Sequence, residues 1–130
     1  MVCVGKHSAI PLYNPMPPEI ISEQPIISFQ PSYRQDDYLK KILKRDDLNI
    51  LFTFGNTEVA KKVIAKGLAI GFYPDFSIQK DAYVQNGEII PLEIEDNDVE
   101  LWFGWIRPKN HHFSRAAQEF IKVLKEVICE

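Results

Sequence analysis

Apolar and polar positions along this chain follow two rhythms. Short, nearly unbroken apolar runs at Pro25-Ile26-Ile27-Ser28-Phe29, Asn49-Ile50-Leu51-Phe52-Thr53-Phe54, Leu68-Ala69-Ile70-Gly71-Phe72 and Glu88-Ile89-Ile90-Pro91-Leu92 predict strands. Between them the apolar residues recur at helical spacing. Leu39, Ile42 and Leu43 share one face of a helix predicted over Ser32–Arg45, with lysines on the other. Val59, Ala60, Val63 and Ile64 form the stripe of a second helix, which Asn56 caps and Gly67 ends in the left-handed conformation. A short helical piece is expected at Phe76–Lys80, a strand apolar on both faces at Val99–Ile106, and a last amphipathic helix from Ser114 to about Ile128, carrying Ala117, Phe120, Ile121, Leu124 and Ile128.

The ends of these elements carry their own signals. Ser32 followed by Gln35 has the pattern of a capping box, in which a hydroxyl and an amide satisfy N–H groups left over at a helix start. Pro11, Pro15, Pro17 and Pro18 make the preceding segment an extended linker, because proline removes a donor and keeps its neighbour from helical angles. Strand, helix, strand, helix, strand then implies a parallel sheet with right-handed crossovers. The expected fold class is α/β with three layers and a parallel or mixed sheet.

Composition narrows the function. The chain has 130 residues, 45% apolar and 25% charged, as in an ordinary globular domain. The net charge is −3, and basic residues are dispersed among acids, as in Lys40-Lys41-Ile42-Leu43-Lys44-Arg45-Asp46-Asp47. Nucleic-acid binding needs a concentrated basic stripe, so this segment of protein is not expected to touch DNA itself. No apolar run approaches the ~20 residues of a membrane span, and the first residues lack a secretory pattern, so no membrane partner and a cytoplasmic location are expected. Cys3 and Cys129 have no metal-ligand spacing and are expected as free thiols.

Catalytic patterns are missing: the sequence contains no Gly-x-Ser-x-Gly elbow, no phosphate loop and no dinucleotide fingerprint, so an enzyme is not expected. His111-His112 is read as a solvated loop, because adjacent residues rarely point the same way, and neither metal nor cofactor is expected. Asp96 and Asp98, beside Glu93 and Glu95, lack the glycine and terminal glutamate of a calcium loop and are read as an acidic turn. Two strand-to-helix turns remain, Ser28–Ser32 and Thr53–Thr57. Ligands of parallel α/β sheets gather outside the carboxyl ends of strands, and helix starts present free N–H groups, so both turns should open onto one crevice. Ser32 and Asn56 taken singly are also ordinary helix caps.

The run Gly55-Asn56-Thr57-Glu58, followed by Val63-Ile64-Ala65-Lys66-Gly67-Leu68-Ala69-Ile70-Gly71-Phe72-Tyr73-Pro74, resembles the effector-binding domain of LysR-type transcriptional regulators. Ala69 stands where that family usually has a second glycine. Ile106-Arg107-Pro108-Lys109 and Phe113-Ser114-Arg115-Ala116-Ala117 resemble the family's later strand and the start of its final helix, with Arg115 in place of a proline. The resemblance implies a periplasmic-binding-protein type II-like lobe, with residues 1–24 as crossover strand and linker, 25–98 as the second effector-binding lobe, and 99–130 as return strand and final helix. It further implies a small-molecule effector, often an anionic metabolite, a homo-oligomeric regulator, and DNA contact only through an N-terminal helix-turn-helix domain outside this sequence. Carried over residue by residue, it points to Ser28, Gln30, Ser32, Asn56 and Thr57 as ligand contacts, with Phe72 and Pro74 shaping the crevice wall. A ligand-binding module of solute-binding-protein type is the alternative.

Overall fold

The computed structural model describes residues 1–30, 35–100, 104–106, 108–110 and 112–128. The chain forms two compact units, Met1–Glu100 and Leu101–Glu130. In the first, β1 (Val2–Gly5) is the middle strand of an antiparallel trio with β4 (Gly71–Phe72) and β5 (Ile89–Leu92). β2 (Ile26–Phe29) and β3 (Ile50–Phe54) pair in parallel. A parallel bridge at Ile26 and Ile70 joins the two groups, the Ile27 N–H donating to the Ile70 carbonyl at 2.9 Å. The strands therefore run in the order β3-β2-β4-β1-β5. The expectation of parallel pairing holds for β2, β3 and β4, while β1, lying between β4 and β5, runs the other way.

Alternation divides the side chains of the sheet between two cores, as the pleat requires. Val2, Val4, Ile26, Ile70, Phe72 and Leu92 pack with Ile21 of α1 (Pro18–Ser22) and with Leu39 and Leu43 of α2 (Gln35–Leu43). Cys3, Ile27, Tyr73 and Ile89 pack on the opposite face with Ala60, Ile64 and Ala65 of α3 (Thr57–Ala65), and with Ile78 of α4 (Asp75–Ile78). The result is helices, sheet, helices. The β2–β3 register slips between Ile26 and Ile27, so that Ile50 pairs with Ile26 and Phe52 with Ile27. This extra residue reverses the parity of β3, which is why Ile50 packs on the α2 side and Phe54 on the α3 side.

Several local expectations change. Pro18 begins α1 instead of closing a linker, since proline fits the first helical turn where its absent N–H is not needed. Met16, in the proline-rich stretch, is buried and bridged in parallel to Ile94. Val59 is 42% exposed, and the α3 residues buried against the sheet are Ala60, Ile64 and Ala65, with Val63 partly buried beside them. The helix expected at Phe76–Lys80 is α4, followed by a further turn α5 (Ala82–Gln85), which Asp81 caps by accepting from the Tyr83 N–H at 3.0 Å. The strand expected over Leu68–Phe72 is cut to β4 by the turn after α3. Gly67 supplies that turn at φ +72°, with the His7–Ser8 backbone packed where a side chain would stand.

In the second unit α6 (Arg115–Ile128) begins beside Ser114, whose hydroxyl accepts from the Ala117 N–H at 3.2 Å. Lys125 lies over the Trp105 ring, 5.0 Å from its centre. The strand expected over Val99–Ile106 is not found at residues 99–100 and 104–106, and its middle lies outside the described residues. These positions have no partner strand among the described residues, and an apolar run without a ladder to join satisfies none of its backbone groups by pairing. Phe120 of the predicted buried stripe is 66% exposed. Among the described residues no helix is long and apolar enough to cross a membrane.

Candidate ligand-binding site

Because β2, β3 and β4 run the same way, their carboxyl ends share one edge of the sheet, and the turns after them are brought together there. The Gln30 carboxamide lies against Gly55, whose missing side chain makes the room: a Cβ there would stand 3.0 Å from Gln30 Nε2. The two turns singled out in the sequence therefore meet. Ser32 lies outside the described residues.

The candidates differ in how available they are. Ser28 is fully buried on the α2 side, and its hydroxyl donates to the Asp36 carboxylate. Asn56 is an N-cap: its Oδ1 accepts from the Glu58 N–H at 2.8 Å and the Val59 N–H at 3.4 Å. Gln30 and Thr57 are exposed. Phe72 is a core residue with 6% exposure, so what it offers the crevice edge is its backbone. Pro74 is half-buried and precedes α4, where Asp75 Oδ1 accepts from the Phe76 N–H at 2.7 Å. The helix starts are thus partly satisfied from within the chain, and the exposed amide and hydroxyl of Gln30 and Thr57 are the more accessible polar groups.

Two features escaped the sequence reading. Gln35, read as half of a capping box, instead spans two strands: its Oε1 accepts from the Phe29 N–H at 3.0 Å and its Nε2 donates to the Phe72 carbonyl at 2.9 Å. No local pattern signals this, because Phe72 is 37 positions away. Tyr73 sits beneath the same edge, edge-on to Phe29 with ring centres 5.6 Å apart. Its hydroxyl is buried with no partner among the described residues. Desolvation, with the carboxylates of Asp81 and Glu58 behind it, raises the hydroxyl above its ordinary value, so it stays protonated. Cys3, a free buried thiol, is pushed up to about 12, first by burial, and is inert as a nucleophile.

The polar groups of this edge can donate to and accept from a small polar molecule, but among the described residues no three His, Cys, Asp or Glu side chains gather in a way that would hold a metal. A separate open groove of about 600 Å³ lies between α1, the end of α2 and the Glu95–Asp96 turn. None of the candidate residues lines it, and Arg45 on its rim is engaged by Asp47 at 2.7 Å.

Comparison with known proteins bears on the fold and the family. Among solved structures the chain is similar to the effector-binding domain of QuiR in complex with shikimate, at 15% identity and a TM-score of 0.66, covering 93% of this chain and 56% of that one. It is also similar to the CcmR regulatory domain of Synechocystis PCC6803 in complex with 2-PG, at 16% identity and TM-score 0.67, covering 98% and 61%. Full-length HypT of Salmonella typhimurium, a hypochlorite-specific LysR-type regulator, matches at 15% identity and TM-score 0.54, covering 98% and 43%. The chain thus spans about three-fifths or less of the length of these neighbours. No curated protein matches the sequence. At such identities the neighbours establish the fold, a lobe of the periplasmic-binding-protein type II kind, and the family rests on the sequence model for the LysR substrate binding domain, which matches residues 1–128. With that match across nearly its whole length, the chain belongs to the LysR substrate-binding domain family.

Proposed function

We propose that this chain forms one wall of the effector crevice of a LysR-type transcriptional regulator, and that it senses a small polar metabolite without catalysing a reaction. The observation that carries this is the meeting of the β2 and β3 turns at one sheet edge, with Gln30 against Gly55, in a chain of this family. The solved QuiR and CcmR domains are in complex with shikimate and 2-PG, which supports a small-molecule ligand here. Gln30, Ser32, Asn56 and Thr57 would donate to a carboxylate of the effector, and DNA would be contacted through a separate helix-turn-helix domain in the cytoplasm. Binding would shift transcription through its preference for one arrangement of the regulator over another.

The double substitution Asn56→Ala with Thr57→Ala tests this. In a regulator carrying this lobe, the response of a reporter promoter to its inducer is expected to fall at least tenfold. Loss of the Asn56 cap costs only about 1 kcal/mol, so the lobe stays folded. A folded double variant with a normal response would refute the site.

Homo-oligomeric assembly is part of the same proposal. β3 lies at the end of the strand order, and Leu51 and Phe52 are 45% and 53% exposed, an apolar sheet edge of the kind that proteins cover. Sedimentation velocity should show association that grows with concentration, and weakens in Phe52→Lys. A wild-type monomer at high concentration would count against it.

A further inference from the structure

The ladder between β2 and β4 stops one rung early. The Ile70 N–H donates to the Pro25 carbonyl and the Ile27 N–H to the Ile70 carbonyl, each at 2.9 Å. Rungs of the same direction in a parallel ladder step by two residues on each strand, so the one after Ile27 to Ile70 would take the Phe29 N–H directly to the Phe72 carbonyl. In its place stands the Gln35 carboxamide, which accepts from the first group and donates to the second. A primary amide carries one acceptor and one donor side by side, so it can substitute for a rung without orphaning either backbone group. The carboxamide thus stands between the strand ends from which Ser28–Gln30 and Phe72–Pro74 lead to the candidate edge.

We infer that Gln35 is a positioning residue of the effector crevice, setting the spacing between the turns after β2 and β4. This rests on the reading of that edge as the effector site. The first turn of α2 is anchored to the strand at a second point, since Asp36 accepts from the Ser28 hydroxyl, so the wedge is fixed from two consecutive helical positions. Hydrophobic residues cannot bridge the two groups, because they offer the Phe29 N–H no acceptor and the Phe72 carbonyl no donor. Glutamate keeps the acceptor for Phe29 but sets a carboxylate oxygen against the Phe72 carbonyl.

The test compares the wild-type chain with Gln35→Leu and Gln35→Glu, isotope-labelled, by nuclear magnetic resonance. Amide shifts are expected to change together in residues 28–30 and in Phe72 and Tyr73, and in Gln35→Leu a direct coupling from the Phe29 amide to the Phe72 carbonyl should appear as the strands zip. Unchanged shifts at Phe72 and Tyr73 in both variants would overturn the inference, whether or not the edge binds anything. The second arm titrates shikimate and 2-PG. A probe that binds the wild type at this edge is expected to bind both variants at least tenfold more weakly, while each melts within a few degrees of wild type. Wild-type affinity in a variant whose turns have moved would also overturn it. If neither probe perturbs residues 28–30 or 54–57 of the wild type, these ligands are excluded for the site, and the spacing role is decided by the first arm.

Discussion

Replacing Gly5 with alanine is expected to destabilise the Met1–Glu100 unit severely. Gly5 ends β1 where the last turn of α3 crosses it. A Cβ at this position would lie inside the contact distance of the Ile64 carbonyl oxygen, 2.9 Å from the Gly67 nitrogen and 3.0 Å from the Ala65 carbonyl oxygen. All three neighbours are backbone atoms of a helix end, so no rotamer change can make room. Overpacking of flexible side chains costs about 1–3 kcal/mol, and a clash with backbone should exceed that range. A domain with a net stability of about 5–15 kcal/mol would lose a large part of it. At about 4–8 °C per kcal/mol for a unit of this size, the melting temperature should drop by more than about 12 °C. A Gly5→Ala protein melting within 5 °C of wild type would show that β1 and α3 do not approach as described.

Lys61→Met is expected to cost about 2–3 kcal/mol, because it strands a largely buried carboxylate. Lys61 Nζ lies 2.5 Å from Asp81 and 2.8 Å from Glu58, with the Lys61 and Asp81 side chains only 12% and 13% exposed. Removing one partner of such a pair leaves a charge that is neither hydrated nor matched. Adding Asp81→Asn should restore part of the loss, since asparagine can still cap the Tyr83 N–H. A cycle showing no coupling between the two sites would mean that the pair is not formed.

The same pair gives a pH signature. Desolvation opposes the charging of both groups, but for Asp81 it is outweighed by the hydrogen bonds from Lys61 and the Tyr83 N–H, and for Lys61 by those to Asp81 and Glu58. The Asp81 carboxyl is therefore held below 3.8 and the Lys61 ammonium raised above 10.5. Stability from Asp81 is complete above 3.8 and is lost as the pH falls through its lowered folded value. Stability from Lys61 is complete below 10.5 and is lost as the pH rises through its raised folded value. The difference in melting temperature between wild type and the double variant should thus stay flat across neutral pH and shrink toward both extremes. A difference that changes steadily through neutrality would assign it to another group.

Most of the strands and the principal helices were legible because each is a local pattern. The apolar runs at 25–29, 49–54 and 88–92 became β2, β3 and β5 to within a residue or so, and the periodic stretches became α2, α3 and α6. Gly67 was legible as a left-handed turn, and Asn56 as a cap, since both depend on near neighbours. At residues 99–100 and 104–106 the expected strand is not found, because apolar content alone does not say whether a partner strand is there to take the hydrogen bonds. Val59 misled in a similar way: the 3.6-residue period marks a stripe, but the packing of α3 decides which edge of it is buried.

By itself the sequence determined the alternation of strands and helices, the Asn56 cap, the family and the two turns where a ligand would be sought. Tertiary structure decided that β1 runs antiparallel in the middle of the sheet, that the β2 and β3 turns meet through Gln30 and Gly55, and that Ser28 faces Asp36. It also decided that Gln35 bridges Phe29 to Phe72 across 37 positions of chain. The reason is one of range: capping, turn formation and periodicity are fixed by atoms a few residues apart. Strand order, and the partner each amide finds, are fixed by which distant segments the two hydrophobic cores draw together.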